Sequence, residues 1–217
     1  MSAPAYWNEA TAALAERDAV LRGIIERFPE RALVTRDDPF IALARAIVGQ
    51  QLSVRAAQTI WGRLAARLNG VSPGPLVRAR LPTLRACGLS TQKAAYLKDL
   101  ARKFADGDLD VGSWHALEDE LLIAELTRVK GIGRWTAEMF LIFHLVRPDI
   151  LPLADLGLQR AMRVNYNGGR ALSEARMRRL GAAWAPWRSV ATWYLWRSLE
   201  AVPVAAPPTA AQIKRRR

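Results

Sequence analysis

The feature that most constrains this fold is a short turn between two helical patterns. Residues 126–162 read LTRVKGIGRWTAEMFLIFHLVRPDILPLADLGLQRAM, and KGIG at 130–133 separates one helical pattern from the next. Gly131 and Gly133 leave the backbone without side chains, so another molecule can approach it very closely. The stretch therefore predicts a helical hairpin whose backbone is accessible at the turn.

The helix after this turn is strongly apolar, with Trp135, Met139, Ile142 and Val146 at helical spacing. A glycine-rich turn that opens a helix presents free N–H groups to an anion, because the donors of the first turn have no partner inside the helix. The chain carries a net charge of +12, which favours a nucleic-acid phosphate as that anion.

Basicity is a property of the body of the chain as well as of its end. The tail Lys214–Arg217 supplies four positive charges, which leaves a net +8 on the remainder. A polyanionic partner such as DNA fits this distribution, and a solvated arginine-rich surface fits it equally well. Charge alone leaves these two interpretations open.

Composition and patterning predict an all-α protein. Ala, Leu and Arg are frequent, which favours helices over sheet, and strand patterns are absent from the sequence. A chain of 217 residues can hold one large domain or two small lobes. We predict a turn-rich connector over 69–82 and helices over 8–28, 40–48, 54–68, 81–88, 91–104, 114–117, 119–128, 135–146, 156–164, 174–184 and 186–200.

Short polar residues mark where several of these helices begin. The predicted N-caps, which accept hydrogen bonds from the first N–H groups of a helix, are Asp37 and Asp38, Ser53, Ser90 and Ser173. On the helix over 91–104, Lys93 and Lys98 are predicted to point outward with Arg102 and Lys103. A solvated face is the commoner role for such lysines, and contact with phosphate is the alternative.

Cysteine and histidine are too scarce for a metal centre built from them. Cys87 is the single cysteine, which excludes an intrachain disulfide and any all-cysteine zinc or iron–sulfur site. His115 and His144 are the only histidines and lie far apart in sequence. We therefore expect no required cofactor, and Cys87 is expected to be a small core residue.

The sequence contains no feature of a membrane or secreted protein. No apolar run reaches the ~20 residues that a membrane span needs. The start MSAPAYWNEA lacks the basic segment and apolar core of a signal peptide. We expect an intracellular protein of bacterial type, cytoplasmic and associated with the nucleoid.

Three stretches of the chain resemble the helix-hairpin-helix DNA glycosylase superfamily, and within it the DNA-3-methyladenine glycosylase II group. They are IVGQQLSV at 47–54, VKGIGRWTAEMF followed by LPLADLGLQRA between 129 and 161, and WAPWRSVATWYLW at 184–196. The resemblance covers roughly 37–199. It implies an all-α, two-lobed fold with the active site in the cleft between the lobes, and excision of alkylated purines such as 3-methyladenine and 7-methylguanine from double-stranded DNA.

The resemblance also implies a division of the chain. Residues 1–36 would form an N-terminal helix that packs on a catalytic core at 37–200, with the hairpin near 126–140 and a Gly/Pro-Asp loop at 148–155. For residues 201–217 it is the composition, rich in Pro, Ala and basic residues, that predicts a disordered basic tail. The protein is expected to act as a monomer, without a partner beyond DNA.

Asp155 stands at the position of the family's catalytic aspartate. A carboxylate beside the sugar lowers the barrier to N-glycosidic hydrolysis and can activate water. From the residues alone, an N-cap of the following helix is the favoured role of Asp155, and the two roles are compatible.

Relatives that also cut the strand carry a nucleophilic lysine after GIGR. Here Trp135 stands there, which implies a monofunctional glycosylase without lyase activity.

The resemblance places Trp135 and Trp196 in the pocket for the flipped base. Aromatic faces attract the positive charge of an alkylated purine by roughly 0.5–2 kcal/mol per contact. Met139 stands where some relatives have a pocket tyrosine. Trp187 and Trp193 could also line the pocket, although their helical spacing favours the core.

Contacts with DNA are implied at two places. Gln51 would fill the gap left by the extruded nucleotide, whereas Gln50 is predicted to satisfy backbone groups at a helix junction. At the hairpin, the residues expected to bind DNA are Lys130, Gly131, Ile132, Gly133 and Arg134. Relatives often bind Na⁺ or K⁺ there through backbone carbonyls, which map to Thr127, Val129 and Ile132.

Three questions stay open from the sequence. A non-catalytic protein that binds or scans DNA is the rival to an enzyme, and a glycosylase for another lesion, such as a deaminated base, is a second rival. Arg188 could pair with Asp155 or with another acid, and a structural salt bridge is the favoured role.

Overall fold

The protein is all-helical over the residues that the structure describes. The computed structural model describes residues 3–29, 32–33 and 38–200. This part contains twelve α-helices and no strand, which confirms the predicted fold class. The helices are α1 Trp7–Arg17, α2 Ala19–Ile25, α3 Pro39–Gly49, α4 Val54–Leu68, α5 Pro73–Arg78, α6 Leu81–Ala86, α7 Thr91–Ala105, α8 Asp119–Thr127, α9 Arg134–Phe143, α10 Leu156–Asn167, α11 Glu174–Ala182 and α12 Arg188–Ser198.

The helices pack in two groups. In the first, α3 packs on α4, α7 and α9, while α7 packs on α5 and α6, and α8 on α9. In the second, α1, α2 and α10 all pack on α12. Asp155 immediately precedes α10, so its carboxylate lies where the chain passes from the first group to the second.

Most of the predicted N-caps are present. Asp38 accepts hydrogen bonds from the N–H groups of Phe40 and Ile41. The three predicted serines each cap a helix: Ser53 caps α4, Ser90 caps α7 and Ser173 caps α11. Asp37 and the predicted disordered tail at 201–217 lie outside the described residues.

Three predicted elements were wrong. The single helix over 8–28 is broken at Asp18, whose carboxylate accepts hydrogen bonds from the N–H groups of Val20 and Leu21. The apolar face continues through the break, so periodicity could not reveal it. The connector over 69–82 contains α5, which begins at Pro73. Residues 114–117 form turns instead of a helix.

Lys93 and Lys98 do not point into solvent as predicted. The Lys93 ammonium donates to the carbonyls of Val48 and Gln50 at the end of α3. Lys98 donates to the carbonyls of Val77 and Ala79 at the end of α5. Both lysines therefore satisfy carbonyls that the ends of helices leave without partners.

A continuous apolar core supports both groups of helices. Trp114, Trp184 and Tyr194 are its largest fully buried side chains, and Cys87 is buried as expected. Tyr6 donates from its hydroxyl to the Val146 carbonyl over 2.6 Å, which ties the N-terminal segment to the chain after α9. Among the described helices, none has the length and apolar character to cross a membrane.

Candidate active site

The hairpin turn is fastened by two other elements. Gly131 adopts a φ of +86°, and a Cβ there would overlap the ring of Tyr96 on α7. Gln50 donates from its amide to the Gly131 carbonyl over 2.7 Å, which confirms its predicted structural role. Asp99 accepts the Lys130 N–H over 2.9 Å. These contacts fix the turn, and they remove the Lys130 N–H from the donors available to DNA.

Four further donors without a partner in the described chain lie at the start of α9. Gly133 is the N-cap, and no side chain caps this helix. No hydrogen bond within the described chain uses the N–H groups of Gly133, Arg134, Trp135 or Thr136. The turn therefore offers an anion a cluster of backbone donors at the positive end of a helix dipole.

The Arg134 guanidinium is held by two acids instead of standing free. It donates to both carboxylate oxygens of Glu120, at 2.9 and 2.5 Å, and to Oε1 of Glu138 at 3.0 Å. These bonds, led by that with Glu120, raise the pKa of Arg134. Burial is the main cause that raises the pKa of the Glu138 carboxyl, and the charge of Asp155 adds to it. A contact between Arg134 and DNA stays a prediction.

Asp155 caps α10 and is held by two indoles. Its Oδ1 accepts the Leu158 N–H at 2.6 Å and the Trp196 indole N–H at 2.8 Å. Its Oδ2 accepts the Trp135 indole N–H at 2.9 Å. Trp135 comes from the last helix of the first group and Trp196 from the last helix of the second. The structure thus brings together the three residues predicted for catalysis and base binding, across the junction of the groups.

The two indoles differ in exposure. Trp135 is 45% exposed, whereas Trp196 is half-buried and stacks on Phe143 with 5.4 Å between ring centroids and 14° between planes. Gly157 lets Asp155 and Trp196 approach the backbone closely, since a Cβ there would lie 3.0 Å from Asp155 Oδ1 and 3.2 Å from the Trp196 ring. Because nearly half of its surface is exposed, Trp135 can contact a ligand.

An aromatic cavity adjoins this site. Trp135, Met139 and Phe143 follow one another at intervals of four residues and form one stripe along α9. Met139 and Phe143 line a cavity of about 740 Å³, together with Phe140, Trp193, Arg45 and Arg197. That volume lies within the 300–1,000 Å³ of ordinary ligand pockets.

Sequence reasoning missed Phe143 and the two arginines of this cavity. The position of Phe143, eight residues after Trp135, was a usable signal. Arg45 and Arg197 carried none, because nothing local distinguishes them from surface arginines. Trp193 is 6% exposed and meets Trp7 edge to face, so it belongs to the core, as favoured, while its edge still reaches the cavity.

Two other predicted side chains are placed by the structure. Trp187 stacks on Tyr6, outside the cavity lining. Arg188 pairs with Asp149 at 2.6 Å and not with Asp155, in agreement with the favoured structural salt bridge.

Gln51 and the hairpin carbonyls keep their predicted roles as predictions. Gln51 is exposed, and its backbone has a φ of +57°, which projects the residue from the α3–α4 junction next to Gln50. Of the carbonyls proposed for an alkali ion, that of Val129 accepts the Ile132 N–H at 3.0 Å. Those of Thr127 and Ile132 accept no hydrogen bond within the described chain. Such carbonyls suit Na⁺ or K⁺.

An all-α fold with a hairpin of free backbone donors beside a carboxylate defines the helix-hairpin-helix class of nucleic-acid-processing proteins. The chain belongs to the HhH-GPD superfamily of base excision DNA repair proteins, which residues 44–186 match. It is 34% identical over 174 residues to DNA-3-methyladenine glycosylase 1 of Schizosaccharomyces pombe, covering 78% of this chain and 76% of that relative.

Solved structures agree with the family assignment. A DNA-3-methyladenine glycosidase from Bacillus halodurans superimposes with a TM-score of 0.83 and 36% identity, over 91% of this chain and 92% of that one. A 3-methyladenine DNA glycosylase of Schizosaccharomyces pombe in complex with abasic DNA gives a TM-score of 0.75 and 31% identity, over 88% and 96% of the two chains.

Proposed function

We propose that this protein is a DNA glycosylase that hydrolyses the N-glycosidic bond of alkylated purines in double-stranded DNA and leaves an abasic site. The observation that carries the proposal is the Asp155 carboxylate, held by Trp135 and Trp196 next to an aromatic cavity. The names of the relatives support alkylated bases as substrates, and the relative bound to abasic DNA supports DNA as the partner. The expected compartment is the cytoplasm.

The reaction needs the damaged nucleotide outside the helical stack, because its glycosidic bond is hidden in a duplex. When the bond between C1′ and the base nitrogen breaks, the electron pair stays with the base and positive charge develops on the sugar. The Asp155 charge stabilises this cation. Water then adds to C1′ and loses a proton, for which Asp155 Oδ2 is the acceptor, because it accepts one hydrogen bond and keeps lone-pair capacity.

The carboxylate is preorganised for this task. Three donors fix it, namely the Leu158 N–H and the two indoles, so it need not reorient as charge develops. No lysine replaces Trp135 beside it, which supports hydrolysis without a covalent Schiff base. The abasic strand would then leave uncut.

Aromatic surfaces would hold the base. The exposed face of Trp135 and the stacked pair Phe143–Trp196 can contact a flat cationic ring. An alkylated purine is already a good leaving group, so the site needs no acid to protonate it. Met139, on the same stripe, would contribute a polarizable apolar wall.

DNA would be held at the hairpin and at the α3–α4 junction. The free N–H groups of residues 133–136 suit a phosphate, with Lys130 exposed beside them. Gln51 would fill the space of the flipped nucleotide. An alkali ion on the carbonyls of Thr127, Val129 and Ile132 would supply a positive charge for a phosphate oxygen.

The test is release of free bases. Duplex DNA treated with a methylating agent is incubated with the protein, and the supernatant is analysed by chromatography for 3-methyladenine and 7-methylguanine. We expect release of free base and accumulation of alkali-labile abasic sites in uncut strands. DNA binding without release would instead establish the non-catalytic binding protein, and strand cleavage without alkali would contradict the monofunctional assignment.

A further inference from the structure

The charged groups that line the cavity are of one sign. Arg45 of α3 and Arg197 of α12 both line it, and no carboxylate does so among the described residues. His144 is the remaining titratable group of the lining, and it stacks on Phe140. A base that enters therefore has aromatic faces to contact but meets cationic side chains at its edges.

Arg197 is fixed in place for such a contact. Its guanidinium carbon lies 5.2 Å from the centre of the Trp193 ring, and Nη1 donates to Glu200 at 2.6 Å. Its Nε is buried and has no hydrogen-bond partner in the described part of the chain. A guanidinium carries five N–H donors, and two contacts leave several of them unused. The guanidinium is thus held in one orientation and still has N–H donors for a further hydrogen bond.

The position of Arg197 couples it to the reacting centre. It lines the cavity together with Phe143, which stacks on Trp196, and the Trp196 indole donates to Asp155. A base that stacks on Phe143 inside the cavity would share that cavity with the Arg197 guanidinium.

A fixed guanidinium discriminates between purine edges. It donates well to a carbonyl oxygen, as arginine does to O6 of guanine. It has no acceptor for the amino group that adenine carries at C6, where guanine carries the carbonyl oxygen.

We propose that Arg197 is a specificity-determining residue, which donates a hydrogen bond to a carbonyl oxygen of the flipped base. It favours guanine-derived lesions such as 7-methylguanine over adenine-derived lesions such as 3-methyladenine. This inference rests on the proposed function and names the substrate preference of the same site.

The same charge also favours bond cleavage over binding. An alkylated purine carries a formal positive charge, which is lost when the electron pair of the glycosidic bond passes to the base. Repulsion by Arg197 is therefore strongest in the bound substrate and falls in the transition state, which is the direction that accelerates a reaction.

The experiment is an internal competition. Methylated duplex DNA contains both lesions, so each enzyme chooses between them in one tube, and the ratio of initial release rates reports relative kcat/KM. The variants are Arg197→Gln and Arg197→Lys. The control is Arg178→Gln, which removes an exposed arginine paired with Glu174 one helical turn away, much as Arg197 pairs with Glu200.

We expect Arg197→Gln to lower the ratio of 7-methylguanine to 3-methyladenine release by about 10- to 100-fold, the range for loss of one hydrogen bond to a charged group. Arg197→Lys should lower it less, and Arg178→Gln should change it less than about twofold. An unchanged ratio in Arg197→Gln overturns the proposal, as does equal loss of both releases by a protein that keeps its helical circular dichroism.

Two further outcomes distinguish a misfolded variant and a failure of the proposed function from a failure of the Arg197 proposal. If Arg197→Gln loses its helical signal, the ratio measured for Arg197→Lys decides, and an unchanged value there overturns the proposal. If the wild type releases neither base, the proposed glycosylase function itself has failed.

Discussion

Two aspartates in this molecule have nearly the same surroundings. Asp18 caps α2 and accepts the Tyr166 hydroxyl at 2.7 Å and the Trp184 indole N–H at 3.1 Å. Asp155 caps α10 and accepts the indole N–H groups of Trp135 and Trp196. Both carboxylates are partly buried. A capping aspartate with two aromatic donors is therefore not in itself a sign of catalysis.

What separates the two sites is what lies around the donors. Trp184 is 1% exposed and belongs to the packed core, and Tyr166 packs against it with 5.9 Å between ring centroids. Trp135 is 45% exposed, and Trp196 stacks on Phe143, which lines the cavity. The first arrangement holds helices together, whereas the second leaves room for a substrate. Asp18 thus provides a matched control for Asp155 inside the same chain.

The largest effect is expected from removing the charge of Asp155. Asparagine can still cap a helix, so Asp155→Asn should fold, but it should release methylated bases about 10²–10³-fold more slowly, as for loss of one electrostatic group in an active site. Asp18→Asn should keep its rate within about twofold and lose about 1–2 kcal/mol of unfolding free energy.

Single-turnover release and urea denaturation measure both quantities. If the two variants lost activity equally, the distinction between the capping sites would be wrong.

The next effect compares the exposed indole with the buried one. Trp135→Phe removes an indole N–H from Asp155 Oδ2 and reduces the exposed ring, and we expect release to fall about tenfold with little loss of stability. Trp184→Phe leaves a cavity in the core and removes one of the two donors to Asp18 Oδ2, which keeps the Tyr166 hydroxyl. It should cost roughly 2–4 kcal/mol while the release rate is kept at 15 °C. Trp135→Phe should therefore be the slower of the two variants, and Trp184→Phe the less stable. If one variant were both the slower and the less stable, this comparison would be contradicted.

A smaller effect is expected at Tyr166, which donates a hydroxyl to Asp18, whereas both aromatic donors to Asp155 are indoles. Tyr166→Phe deletes the hydroxyl bonded to Asp18, and we expect about 1 kcal/mol of destabilisation and an unchanged release rate. Thermal unfolding is measured for Tyr166→Phe, for Asp18→Asn and for the double variant. Because both substitutions remove the same hydrogen bond, the double variant should lose less stability than the sum of the two single losses. Full additivity would show that the hydroxyl and Asp18 are not coupled.

The smallest effect concerns the Glu138 carboxylate. Its Oε2 is buried and has no hydrogen-bond partner in the described chain, and the charge of Asp155 helps to raise its pKa. Its pKa is raised by burial, so ionisation costs more in the folded than in the unfolded chain. Its contribution to stability is therefore present at pH below the unfolded value of about 4.3 and is lost as pH rises through the raised pKa. Glu138→Gln does not ionise, and its stability relative to wild type should rise between pH 4 and pH 7. Urea denaturation at both pH values checks this, and a falling relative stability would reverse the assignment.

Local patterns predicted much of the fold and part of the site. The helix starts at Ser53, Ser90 and Ser173 could be predicted, because an N-cap side chain bonds an N–H only three residues further along the chain. The break at Asp18 stayed hidden because its cause lies in Tyr166 and Trp184, about 150 residues further along the chain.

The site divides in the same way. The resemblance pointed to Asp155, Trp135 and Trp196, and the structure joins them by hydrogen bonds. The stacking of Phe143 and the cavity arginines depend on how α3, α9 and α12 pack, which no short stretch of sequence encodes.

The central claim is that the Asp155 charge stabilises a cationic sugar. The most direct measurement is the affinity for duplexes with a pyrrolidine in place of the sugar, which is cationic, or with neutral tetrahydrofuran. We predict that the wild type binds the pyrrolidine duplex at least ~100-fold more tightly, as for a transition-state mimic. Asp155→Asn should lose most of that preference while its affinity for the neutral duplex stays unchanged. The same preference in both proteins would contradict the claim.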